Sequence, residues 1–221
     1  MEINKSTDQM TDAGQTMKEE IANSITHGLG IILSIIGFII LIHKSIIQGS
    51  AVHIFSCTFY GCSLIILYLI STLYHGIPHQ SVKKVFRRLD HISIYLLIFG
   101  TYLPITLIII NGALGWTIFG IEAGLCFLGI TFKAIFGPKL EIISASFYLL
   151  MGWIAILALR PIYLATSLGG LLWILSGGVF YTLGMIFFAV DKKVPYFHAI
   201  WHVFVLLGSI CHFFMVLNYV F

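Results

Sequence analysis

The chain has 221 residues, 59% hydrophobic and only 10% charged, with a mean hydropathy of +1.00. A soluble domain averages about 25% charged residues, so this composition excludes a water-soluble enzyme or binding module and identifies an integral membrane protein. The net charge of +3 is modest, and the basic residues collect in short loops, which suits orientation in a bilayer rather than binding to nucleic acid.

Met1 to about Glu20 is the only polar stretch, rich in Thr, Asp, Gln, Glu and Lys, and is expected to be a mobile tail over residues 1–20. It does not read as a secretory signal, being mildly acidic, too long for a basic leader region and without a small-residue cleavage site. Residues 21–221 then form one transmembrane domain. A helix needs about 20 apolar residues to cross a bilayer. Seven segments qualify: about Ile25 to Ile47, Val52 to Tyr74, His91 to Ile110, Leu114 to Phe136, Ile142 to Leu159, Leu168 to Val190, and Phe197 to Phe221. The breaks fall at Gln48-Gly49-Ser50, Gly76 to Arg88, Asn111-Gly112, Gly137-Pro138-Lys139, Arg160-Pro161 and Asp191 to Pro195. Uniformly apolar segments of this length are not barrel strands, and no internal repeat points to an inverted-repeat transporter. The expected fold is an all-α membrane protein, a seven-transmembrane helix bundle.

Orientation follows from charge. With the N-terminus in the cytoplasm, ten of the 12 Lys and Arg residues face inward, and only Lys44 and Arg160 face outward. That asymmetry fits the positive-inside rule for an odd number of spans, so the C-terminus is expected outside. The basic run Lys83, Lys84, Arg87, Arg88 reads as a topogenic contact with anionic lipid. Cys57, Cys62, Cys126 and Cys211 all fall in apolar segments with no C-x-x-C pair, and read as small buried residues rather than a disulfide framework.

This topology brings five chemistry-bearing residues to one depth at the inner face: Ser71 and His75 at the end of the second helix, Asp90 at the start of the third, and His198 and His202 at the start of the seventh. Polar groups at membrane depth are costly and need a partner or a function. His198 and His202 stand four apart on one helix face, as do Ser71 and His75. Three neutral imidazoles plus a water make a usual catalytic zinc arrangement. Asp90 is a fourth ligand or a general base for the bound water, and Ser71 a donor beside it. His43, His53, His79, His91 and His212 read instead as packing or interfacial residues, His212 least securely. Glu122, a carboxylate well inside the fourth helix, has no evident role.

Three motifs carry a family resemblance: Glu20-x-x-Asn23-x-x-x-His27 in EIANSITHG, Ser71-x-x-x-His75 in STLYHG with Asp90 in RRLDH, and His198-x-x-x-His202 in HAIWH. They occur in order on the expected helices, and the chain after its tail resembles the hemolysin III family, within the superfamily of progestin and adipoQ receptors and alkaline ceramidases. The resemblance implies a seven-helix fold with the N-terminus inside and a zinc ion (Zn2+) near the cytoplasmic face. It implies His75, His198 and His202 as ligands, Asp90 and Ser71 near a metal-bound water, and Glu20, Asn23 and His27 as structural or supporting residues. The expected function is a zinc-dependent hydrolase of a lipid amide or ester in the cell membrane, with membrane lipids as partners and no nucleic acid. The alternatives are a pore-forming cytolysin, as the family name implies, and a receptor-like lipid-homeostasis protein with structural zinc.

Overall fold

The computed structural model describes residues 15–137 and 140–221. Regular structure among them is entirely helical. Helix α1 spans Met17–Gln48, α2 Ala51–Gly76, α3 Gln80–Pro104, α4 Gly112–Phe136, α5 Glu141–Gly152, α6 Leu159–Val190 and α7 Phe197–Tyr219.

Helix α1 starts at a reciprocal cap. The Thr16 hydroxyl accepts from the Glu19 amide at 3.4 Å, and the Glu19 carboxylate accepts from the Thr16 amide at 2.9 Å. Met17 to Glu20, expected as the end of a polar tail, are therefore the first turn of a helix; residues 1–14 of that expected tail lie outside the described residues. Gly49 ends the helix in the left-handed conformation, at φ 69°, that its missing side chain permits.

The faces of α1 are inverted relative to a soluble helix. Asn23, His27, Gly30, Ser34, Gly37 and Ser45 are buried, whereas Ile25, Ile32, Ile39 and Ile46, seven apart, are 58–67% exposed. Water would penalise that arrangement and hydrocarbon stabilises it, because lipid solvates the isoleucines while the bundle must satisfy the polar groups. Six helical stretches are long and apolar enough to cross a membrane among the described residues, and α3 and α2 are the most enclosed. The protein is a multi-pass integral membrane protein.

Two expected breaks move. The loop over Gly76 to Arg88 contracts to three residues, because α3 begins at Gln80, and the basic residues become its first turns. The second is the Arg160-Pro161 break: Pro161 sits in the first turn of α6, where its missing N–H removes no helical bond. The reversal occurs instead at Ser167, held at φ 57° and ψ −169°. A straight helix over the 50 residues Glu141–Val190 would run about 75 Å. In the structure Lys192 Nζ pairs with Glu141 Oε2 at 2.5 Å, and Trp153 Nε1 donates to Thr182 Oγ1 at 3.0 Å. Both pairs straddle Ser167 almost symmetrically, so the stretch folds back there into two arms. At the end of α3, Pro104 is followed by wider turns over Ile105–Ile110, closed by Asn111 N on Thr106 O at 3.0 Å.

Helix packing sets the position of α2 and α7. Helix α1 packs on α2 and α7, α2 on α3, and α6 on α7, which brings the C-terminal end of α2 to the N-terminal end of α7. Close approach needs small residues. Gly184 admits Trp201 and Phe204, and Gly178 lies against Trp153, whereas Ala189 is exposed. Cys57, Cys126 and Cys211 are buried and all four cysteines are free. Glu122 and Lys133 are fully buried on α4, and neither charged group has a hydrogen-bond partner among the described residues.

Gly30 faces the Tyr68 ring so closely that a methyl group there would overlap it, while nothing lies within 4 Å of a methyl group at Gly120. Gly30→Ala is expected to cost about 1–3 kcal/mol and Gly120→Ala to leave stability unchanged; thermal unfolding of the two purified variants in detergent checks the contrast.

Candidate metal centre

His75 lies in the last turn of α2, and His198 and His202 in the first two turns of α7. Each offers a ring nitrogen within 4.8 Å of the others. The ring centroids are 5.1 Å apart for His75–His198 and for His75–His202, and 4.7 Å for His198–His202.

The hydrogen bonds decide which nitrogens are free. His75 Nδ1 donates to Glu20 Oε2 at 2.7 Å and His198 Nδ1 to Asp191 Oδ2 at 2.6 Å. His202 Nδ1 lies 3.3 Å from the Asn23 carbonyl and 3.2 Å from Thr26 Oγ1. Carboxylate and carbonyl oxygens only accept, so each Nδ1 carries the ring proton and each Nε2 presents a lone pair. All three Nε2 atoms are buried without a hydrogen-bond partner among the described residues. Buried polar atoms are seldom left unpaired, and three converging imidazole lone pairs fit a divalent metal ion. The anchoring of the opposite nitrogen is the outer arrangement that metal-binding histidines ordinarily have.

The remaining expected residues gather round this point. Glu20 is buried and shared between His75 and Lys83, whose Nζ lies 2.9 Å from Glu20 Oε1 and donates to the Tyr74 carbonyl at 2.9 Å. Lys83 is thus a buried partner of the site, a correction to its reading as a lipid contact. Asn23 anchors His202 through its carbonyl and donates from Nδ2 to Gln15 Oε1 at 2.8 Å. His27 stacks on His202 with ring centroids 3.5 Å apart. Asp90 is buried beside Ser71 and within electrostatic reach of His198, but is not in the set of mutually close ligand atoms. Ser71 is fully buried. Sequence reasoning missed Asp191 and Glu19, which it had left in a loop and in the tail. Glu19 Oε1 accepts from the Tyr196 amide at 2.8 Å, so it fixes the turn leading into α7. A carboxylate seven residues before His198 was the available signal, since ligating imidazoles recruit carboxylates.

Two spaces meet at Asp90. A small polar cleft lies between Arg87, Glu141, Asp191, Lys192 and His198. Glu141 pairs there with both Arg87, at 2.9 Å, and Lys192. An apolar cavity of about 100 Å³ runs from Asp90 and His27 into the bundle.

The family model for "Haemolysin-III related" proteins matches residues 15–213. "Hemolysin-3" of Bacillus cereus is 48% identical over 97% of this chain and 97% of its own, and "Hemolysin-3 homolog" of Bacillus subtilis (strain 168) is 46% identical over 92% and 95%. The human "Monocyte to macrophage differentiation factor" is 28% identical over 93% of this chain and 86% of its own. The chain belongs to the haemolysin-III related family, for which the cell membrane is the expected location.

Asp191→Asn keeps the shape of the His198 partner and removes its charge. Metal affinity is expected to fall about 10–100-fold with the fold retained; competition titration with a chromophoric chelator, beside circular dichroism, measures both.

Proposed function

We propose that this member of the haemolysin-III related family holds a zinc ion between His75, His198 and His202 at the cytoplasmic side of the bilayer, and uses it to hydrolyse an amide or ester bond in a membrane lipid. The observation that carries the reading is three histidines that each offer a ring nitrogen within 4.8 Å of the others, with no hydrogen-bond partner for any of the three Nε2 atoms among the described residues. Zinc prefers such neutral imidazoles, and when bound it supplies a Lewis acid and acidifies water toward about neutral pH.

The chain's own residues divide the remaining work. Glu20, Asp191 and the Asn23 carbonyl hold the three ring protons on Nδ1, which orients the rings and keeps Nε2 basic. Asp90, outside the ligand set but beside it, takes the proton from the attacking water on its carboxylate. Ser71 Oγ, buried beside Asp90, donates to the oxygen on which negative charge develops. The apolar cavity receives the lipid body, and the polar cleft past Arg87 and Lys192 admits water.

The topology belongs to the same proposal. The fold-back at Ser167 supports counting the Glu141–Val190 stretch as two crossings, hence seven in all. An odd count and the charge asymmetry support a cytoplasmic N-terminus and an outer C-terminus. A fluorescent reporter fused to the C-terminus is expected to be reached from outside intact cells; quenching only after permeabilisation overturns it.

A cytolytic function has one observation in its favour, the names of the two Bacillus relatives. Conductance in planar bilayers that persists when His198 is replaced would favour it over hydrolysis.

The metal reading is tested first. Purified wild type is expected to contain about one zinc per chain and His198→Ala far less. Asp90→Asn is expected to keep metal and fold while losing fatty-acid release from a panel of lipid amides and esters. Unchanged release would leave the metal a structural tie between α2 and α7. Metal-free wild type would end the proposal.

A further inference from the structure

The cavity lined by Asp90 and His27 is lined by His212 as well. The hydroxyls of Thr101, Tyr102, Tyr181 and Thr182 along it are occupied within the protein. Tyr102 OH donates to Gly152 O at 3.0 Å and accepts from Ala155 N at 2.9 Å. Thr182 Oγ1 donates to Gly178 O at 2.7 Å and accepts from Trp153 Nε1. Thr101 Oγ1 donates to Leu97 O at 2.8 Å, and Tyr181 OH is engaged with Ser209 Oγ at 3.0 Å. To a ligand lying in the cavity these walls are apolar.

His212 is built differently. Its Nδ1 donates to the Gly208 carbonyl at 2.8 Å, which fixes the tautomer and leaves Nε2 as an acceptor. The ring stacks on Tyr181 with centroids 5.4 Å apart and interplanar angle 11°, and rests on Gly177, where any side chain would collide with it. The residue is 8% exposed and lines the cavity, and among the described residues its hydrogen bond is the one from Nδ1 to Gly208. The imidazole is therefore held through Nδ1, by the stacked Tyr181 ring and by the close approach of Gly177, with Nε2 left as an acceptor. Ten residues of α7 separate it from His202, about 15 Å along the helix axis. A histidine that merely fills space does not need a locked tautomer or a glycine against the ring.

We propose that His212 is a second recognition point, which accepts a hydrogen bond from a hydroxyl carried by the lipid about 15 Å from its metal-facing carbonyl. The favoured ligand is an amphiphile polar at both ends and apolar between, such as an ω-hydroxylated acyl chain. An apolar pocket with a few fixed polar groups selects ligands by those groups, and an acceptor left unpaired in hydrocarbon discriminates strongly against the analogue lacking the donor. The inference rests on the lipid-hydrolase reading for the identity of the near end, but not on turnover.

The experiment measures binding. Full-length, zinc-loaded wild type, His212→Leu and His212→Gln are purified in detergent, and the affinities of ω-hydroxylauric acid and lauric acid are measured by equilibrium dialysis, corrected for micelle partition. Wild type is expected to prefer the hydroxylated acid about tenfold. His212→Leu is expected to lose that preference while holding lauric acid within about twofold, and His212→Gln, which still offers an acceptor, to keep part of it. Zinc content and melting temperature are followed in parallel. A wild type without preference, one that binds neither acid, or a preference that survives in His212→Leu overturns the proposal. If the variants do not assemble, the wild-type preference alone decides. Failure of the hydrolase reading is separately visible, as binding selectivity without lipid cleavage.

Discussion

Three imidazoles brought close together, with no hydrogen-bond partner for any Nε2 among the described residues, are the constraint on which the inner end of this protein depends. Left bare they are costly, and each ring could escape by flipping or by moving its proton. The protein removes both escapes by occupying Nδ1: Glu20 and Asp191 do so with carboxylates, Asn23 with a carbonyl. Those three acceptors come from α1 and the turn before α7, not from the helices that carry most of the site. The centre therefore ties four parts of the chain together, and Lys83 and Glu19 extend the tie to α3 and to the Tyr196 amide.

The bilayer explains why the polar residues are where they are. Lipid cannot solvate Asn23, His27 or Ser34, so α1 turns them inward and presents isoleucine outward. Once inside, these groups have to be paired, and the pairing orders the site as a by-product. The same pressure leaves exceptions. Glu122 and Lys133 lie buried on one helix without hydrogen-bond partners among the described residues, and no packing argument accounts for them.

Two media meet at Asp90. On one side is the cleft edged by Arg87, Glu141 and Lys192, on the other an apolar cavity whose middle walls have spent their hydrogen bonds on the protein itself. That separation gives a direction to anything that binds: polar chemistry at the histidines, hydrocarbon beyond. Glu141 closes the cleft by joining α3 to the turn after α6, and Lys192 stands next to Asp191, so the salt bridge and the orientation of His198 share one short segment.

By itself the sequence determined the membrane, the helices and most of the site. Hydropathy over about 20-residue windows depends only on local composition, and the i, i+4 spacing of His198 and His202 fixes a shared face whatever packs against it. The motifs of the family resemblance also named His75, Glu20 and Asn23, although Glu20 and Asn23 stand on α1, far in sequence from the histidines they anchor. Tertiary structure alone decided the rest. The reversal belongs to Ser167 rather than Arg160-Pro161, since a first-turn proline costs a helix nothing and only packing of Trp153 on Thr182 reveals the fold-back. Lys83 became a buried partner because α3 starts early enough to turn it inward. Asp191, distant from the motifs in pattern though near in chain, acquired its place only when the turn folded its carboxylate onto His198. Which nitrogen of each ring is free is likewise a property of neighbours brought from elsewhere in the chain, and no linear pattern encodes it.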